Sequence, residues 1–178
     1  MRRQVNIQVL GLSRRYPLID KHPKWTFSNK SVLKRWFVKR ARGRVLHLCC
    51  GWTRLGIGEI NLDVSPNSSA DIIADIFHLP FPDNCFDTII SDPPYKLAYD
   101  KRAAFTSEIL RVVKKRKGSR ILLKLDFIPY FENFGLTELY VYQGKRYWAR
   151  VSLLLRFDYG VLSETEPLEK YLDPVEGG

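Results

Sequence analysis

Four short apolar runs, three of them ending on an aspartate, constrain this chain more than any other feature. Val45-Leu46-His47-Leu48-Cys49-Cys50 stops at Gly51; Ile60-Asn61-Leu62 leads to Asp63; Ile72-Ile73-Ala74 leads to Asp75; Phe86-Asp87-Thr88-Ile89-Ile90-Ser91 leads to Asp92. Short apolar runs bounded by turn signals read as strands covered on both faces, which points to a largely parallel α/β sheet. Ligands of such sheets bind beyond the carboxyl ends of the strands, where the strand order switches. Asp63, Asp75 and Asp92 are therefore expected on one rim. One aspartate after a strand merely begins a turn, but three beside a strand ending in Cys-Gly mark a site. Trp52, Ile76 and Phe77 lie close enough in sequence to wall a ring-shaped ligand.

The remaining elements follow from spacing. Residues 4–12 alternate weakly and suit an edge strand, and Pro17 and Pro23 break the segment after it. Ser28, Asn29 or Ser31 can cap a helix that runs to about Arg42 and ends at Gly43. Val32, Leu33, Trp36 and Phe37 give that helix a core-facing stripe. Residues 100–117 read as a basic helix broken by Gly118, Ile121–Leu125 as a strand, and 136–143 with 149–157 as a hairpin around Gly144. Only eight residues separate Gly51 from Ile60, so the helix expected between those two strands is shortened or missing.

At 178 residues the chain is sized for one domain. No apolar run approaches the length that spans a bilayer, and Asn6, Gln8 and Arg14 interrupt the apolar stretch a secretory signal needs. Three cysteines without a Cys-x-x-Cys pair fit neither a disulfide framework nor a zinc site. The expectation is a reduced, cytoplasmic, metal-free protein.

Its net charge of +10 is unevenly spread. Residues 1–44 carry +12, residues 45–100 carry −6, residues 101–120 carry +7 and residues 161–178 carry −4. The first block interleaves cations with Tyr16, Trp25, Phe27, Trp36 and Phe37, a mixture that suits phosphates and stacked bases, although helical spacing assigns Trp36 and Phe37 to the core. Arg14, Arg15, Lys21 and Lys24 in that block, and Lys114 and Lys115 in the second, are the candidate nucleic-acid contacts. The chain thus divides into a basic arm (1–29), a folded domain (30–160) and an acidic tail (161–178).

Asp92-Pro93-Pro94-Tyr95 follows directly on a strand and is the most specific motif present. Two prolines stiffen the loop and donate no N–H, leaving a carbonyl open to an outside donor. That carbonyl and the Asp92 carboxylate can accept from one NH2 group, and Tyr95 offers a flat face to the ring bearing it.

In these residues the chain resembles class I S-adenosylmethionine-dependent methyltransferases over about residues 30–157. Val45–Gly51, Ile60–Asp63 and Asp71–Ile76 with Leu79-Pro80-Phe81 look like the cofactor half. Asp92-Pro93-Pro94-Tyr95 looks like the catalytic motif of the amino-methyltransferases, most typically those acting on adenine N6. The resemblance implies a Rossmann-like, seven-stranded sheet, mostly parallel, with a C-terminal antiparallel hairpin. It implies S-adenosyl-L-methionine as cofactor, its methionine part near His47, Cys49, Cys50 and Gly51, its ribose on Asp63, and its adenine on Asp75 and Ile76. Asp92, beside the cofactor, and the Pro93 carbonyl would hold the target amine, with Pro94 stiffening the loop and Tyr95 stacking on the base. His47 stands where the family usually has an acid, and the glycine-rich turn keeps only Gly51.

The partner expected is DNA or structured RNA. Methylation of a protein side-chain amide is a second enzymatic reading. A nucleic-acid-binding protein that keeps the fold without catalysis is the alternative of another class.

Overall fold

A computed structural model describes residues 6–10, 32–143 and 151–161. Its strands are β1 (Asn6–Leu10), β2 (Val45–Leu48), β3 (Ile60–Asp63), β4 (Ile72–Ile73), β5 (Thr88–Ser91), β6 (Arg120–Leu125), β7 (Phe134–Gln143) and β8 (Val151–Tyr159). The helices are α1 (Val32–Arg40), α2 (Tyr95–Asp100) and α3 (Arg102–Val112). The sheet runs β1-β7-β8-β6-β5-β2-β3-β4. Strands β2 to β6 are mutually parallel, and β8 is antiparallel to both β6 and β7. The seven strands β2 to β8 are thus the mostly parallel sheet with a C-terminal antiparallel hairpin. The backbone of β1 adds an eighth, parallel to the edge of β7 with Asn6 opposite Glu138.

Both faces of the central strands are covered, as continuous apolar runs require. On one face Phe105, Ile109 and Val112 of α3 pack with Leu46, Leu48, Leu62, Ile89 and Ile121. Each such side chain, fully withdrawn from water, contributes on the order of 2–3 kcal/mol. On the other face Trp36 and Phe37 of α1 pack with Val45, Ile90, Leu122 and Leu154. Trp36 and Phe37 are therefore core, with Leu33 half-buried against them, and Trp36 also stacks under Arg40, whose Cζ lies 4.5 Å from the ring centroid.

Two helices end differently from the sequence expectation. The first stops at Arg40, and Gly43 makes the turn with φ of 62°. Only glycine fits there, because a Cβ would lie 2.5 Å from an Asp87 carboxylate oxygen. Asp87 accepts from the Arg44 N–H (2.9 Å), from Lys114 Nζ (3.0 Å) and from Arg116 (2.6 Å), pinning two turns together. The basic helix expected over 100–117 is instead α2 and α3, meeting at Lys101, and it stops at Val112. Val113 leaves the helix because it is buried and bridges to Phe86. The cap candidates Ser28, Asn29 and Ser31, and the hairpin turn at Gly144, lie outside the described residues. Among the described residues no helix is long and apolar enough to cross a membrane.

Candidate active site

Because β2, β3, β4 and β5 are parallel and adjacent, their carboxyl ends bring Cys49–Gly51, Asp63, Asp75 and Asp92 to one rim. The β2–β3 connection holds no helix, and carboxylates organise it instead. Glu59 accepts from the N–H groups of Leu55 (2.6 Å), Gly56 (3.2 Å) and Ile57 (2.9 Å). Burial opposes ionisation of Glu59, but these backbone donors win and hold its carboxyl below the ordinary range. Arg54 pairs with Asp71, which also accepts from the Asn61 N–H at 2.9 Å and from its side-chain amide at 3.1 Å.

At the turn itself, Cys49 has a left-handed φ of 54° and Gly51 one of 53°. A non-glycine residue held there stores local strain, as functional turns often do. Asp63 closes the turn, one carboxylate oxygen accepting from the Gly51 N–H and the other from the Ser65 N–H, each at 2.9 Å. Burial raises the Cys49 thiol, and the charges of Asp63 and Asp92 raise it further. Cys50 is pushed up to about 12, chiefly by burial. Both thiols are therefore neutral and poor nucleophiles.

His47 is fully buried in β2. Its Nδ1 lies 3.1 Å from Asn61 Oδ1, and since the Asn61 amide donates to Asp71, the histidine is the donor. Burial lowers its pKa to about 4. It is placed to tie β2 to β3, beneath the rim. Asp75 is exposed, with one oxygen accepting from the Phe77 N–H at 3.0 Å. Ile76 and Phe77 belong to the core, whereas Trp52 is 65% exposed at the rim.

The Asp92-Pro93-Pro94-Tyr95 segment carries Asp92 off the end of β5 and starts α2 at Tyr95. Both Asp92 oxygens accept from Lys124 Nζ, each at 3.0 Å. Burial raises the Asp92 carboxyl and Lys124 opposes it. Tyr95 is buried, its hydroxyl 2.9 Å from Ser152 Oγ, and Lys124 Nζ lies 5.2 Å from its ring centroid. The ring face offered to a base in the sequence reading thus carries an ammonium here. Reasoning from sequence missed Lys124 and Ser152. A lysine inside Ile121-Leu122-Leu123-Lys124-Leu125 was a signal, and Ser152 gave none.

Of the nucleic-acid candidates, Arg14, Arg15, Lys21 and Lys24 lie outside the described residues. Lys114 and Lys115 lie at the amino end of the sheet, Lys114 on Asp87, whereas Asp92 is at the carboxyl end. Between α3 and the segment after β6, Arg102, Thr106, Phe127, Ile128 and Tyr130 line a groove of about 360 Å³. Ile128 and Tyr130 are exposed there, and the exposed Tyr99 packs edge-on against Phe127 and lies under Arg102, whose Cζ is 5.2 Å from its ring centroid.

No family model matches the chain, and no curated protein matches its sequence. Among solved structures it is similar to the N-methyltransferase NodS from Bradyrhizobium japonicum, with TM-score 0.57, 13% identity, and 72% of this chain and 95% of that one covered. A SAM-dependent methyltransferase from Methanosarcina mazei has TM-score 0.53 and 10% identity, with 71% and 98% covered. The fold is a methyltransferase fold. TrmN from Thermus thermophilus shares it with TM-score 0.51 and 20% identity, over 71% of this chain and 48% of that one. At such identities the likeness is one of architecture, and what this chain does has to be argued from its own side chains.

Proposed function

We propose that this chain binds S-adenosylmethionine and transfers its methyl group to an exocyclic amino nitrogen of a nucleic acid, adenine N6 being the favoured target and DNA favoured slightly over structured RNA. The observation that carries the reading is Asp92-Pro93-Pro94-Tyr95 at the carboxyl end of β5, on the same rim as Asp63 and the Gly51 turn.

The residues of that rim fit the cofactor. Each Asp63 oxygen accepts one backbone N–H, so lone pairs remain for ribose hydroxyls. A Cβ added at Gly51 would meet nothing within 4 Å, so the turn leaves open space beside them. Asp75, exposed at the end of β4, can accept from an adenine amine. When bound, the cofactor supplies an electrophilic methyl group.

The chain's own task is to prepare the nucleophile. An exocyclic amine is poor because its lone pair is delocalised into the ring. Accepting its protons at Asp92 and the Pro93 carbonyl localises that pair and aims it, which is catalysis by positioning. The exposed Tyr99, with Arg102 over its ring, and the exposed Tyr130 suit stacked bases and a phosphate. The basic segment 1–29 acts as an arm on the phosphates.

Incubation with labelled cofactor and either DNA or RNA, followed by mass spectrometry of the nucleosides, tests this directly. N6-methyladenosine or its deoxy form is the expected product, and no methylated amine in either polymer would end the reading. The helix-free connection between β2 and β3, with the buried His47 beneath it, favours a second reading, a nucleic-acid-binding protein without catalysis. S-adenosylhomocysteine at a hundredfold excess over Kd should stabilise the enzyme by about 2.7 kcal/mol and leave such a binding protein unmoved.

A further inference from the structure

We propose that Lys124 is a positioning residue for methyl transfer: its ammonium keeps the Asp92 carboxylate charged and aimed at the target amine. The inference rests on the methyl-transfer reading above and assigns a role to a residue the motif does not contain.

The argument begins with β6, whose sequence Arg120-Ile121-Leu122-Leu123-Lys124-Leu125 places a lysine in the middle of the sheet. Burying an ammonium is strongly unfavourable unless a partner compensates it. The Lys124 and Asp92 side chains are only 13% and 11% exposed, and the two Nζ–oxygen distances are equal at 3.0 Å. Tyr95 lies beneath the ammonium and is itself tied to Ser152 of β8. Leu153, next to Ser152, is in register with Leu125, next to Lys124. Three elements thus converge to fix one carboxylate.

Such fixing matters because the target amine needs acceptors. A carboxylate offers about four lone-pair sites, of which Lys124 takes one on each oxygen, leaving one on each for the amine's protons. A protonated Asp92 would present a donor in their place. The titratable groups that act at this point are Lys124 from β6, hydrogen-bonded to Asp92, Tyr95 from α2 under the same ammonium, and the Cys49 thiol after β2, which feels the charges of both Asp92 and Asp63. Burial disfavours the charge and the Cys49 thiol stays neutral, so among the described residues Lys124 is the cation that opposes protonation.

The test compares wild type, Lys124→Met and Lys124→Arg in the full chain, following the Asp92 carboxyl carbon by NMR across pH together with kcat. The Met variant should titrate at higher pH than wild type, and its kcat should be on the order of tenfold lower at pH 6 than at pH 9. The Arg variant should keep the wild-type profile. An Asp92 midpoint unchanged in Lys124→Met, or a loss of activity independent of pH, overturns the proposal. Should Lys124→Met fail to fold, Lys124→Gln keeps a donor without the charge and serves the same comparison. If the midpoint moves as expected but wild type methylates no nucleic acid, the methyl-transfer reading fails while the hold of Lys124 on Asp92 stands.

Discussion

His47 shows what one buried titratable group imposes on a small sheet. Its ordinary pKa of 6.5 falls to about 4 in the folded chain because burial outweighs the hydrogen bond to Asn61 and the nearby Glu59 and Asp63. The unfolded chain therefore binds the extra proton between those values, and stability falls as pH drops from about 6.5 towards 4. Across the full window the loss amounts to about 3 kcal/mol. Urea unfolding at pH 7 and pH 5 should show about 2 kcal/mol of it, and His47→Gln should flatten the difference. An equally steep dependence in that variant would place the titration elsewhere. The Tyr95–Ser152 pair makes a second test at this scale. Tyr95→Phe and Ser152→Ala should each lose about 0.5–1.5 kcal/mol, and the double variant should lose less than their sum, because both remove one hydrogen bond. Additive losses would show that the two hydroxyls act independently. The sequence revealed Asp63, Asp75 and Asp92 because each interrupts the apolar pattern at a strand end. It was silent on Ser152, whose neighbour across the fold is set by the hairpin register.

At the scale of elements, strand existence was readable and element ends were not. The runs at 45–50 and 60–63 contain β2 and β3, since a buried strand must be apolar on both sides, whereas the run at 72–75 holds only the two-residue edge strand β4, exposed at Ile73. The basic helix failed to reach 117 because Val112 and Val113 are drawn into the core, a tertiary effect that charge spacing cannot report. The missing helix between β2 and β3 was legible by counting, but its replacement was not. That replacement depends on Glu59, which gathers three backbone N–H groups into one carboxylate. Glu59→Ala strands those donors and should destabilise the chain by about 1.5–3 kcal/mol, the range for a hydrogen bond to a charged group. Because Gly51 lies on the same connection, the variant should also weaken S-adenosylhomocysteine binding, whereas Glu59→Gln should retain part of both. Urea midpoints with calorimetry decide it, and unchanged values in Glu59→Ala would mean the turn holds its shape without the carboxylate.

Over the whole molecule, topology separates two rims that the sequence could only describe as charge blocks. Lys114 and Arg116 converge on Asp87 before β5, while Asp92 follows it, so about 17 Å of strand lies between them at the usual rise per residue. The Lys114 ammonium is already engaged, and removing it would release Asp87, whose carboxyl sits at about 2 because backbone and cationic partners overcome its burial. A nucleic acid with a base at Asp92 is therefore expected to be gripped by the arm more than by the far rim. If Arg14, Arg15, Lys21 and Lys24 each contact a duplex phosphate, log K should fall against log salt with a slope of about −3.6 from these four alone. Replacing the four with alanine should flatten the measured slope by about that amount and leave cofactor affinity unchanged. Lys115→Ala, at an exposed position on the far rim, should alter the slope by less than about one, the yield of a single contact. Fluorescence titrations of labelled duplex across a salt series read both. A slope unmoved by the arm variant but lowered by Lys115→Ala would put the phosphate grip on the amino-end rim, and the arm would then serve something other than nucleic acid.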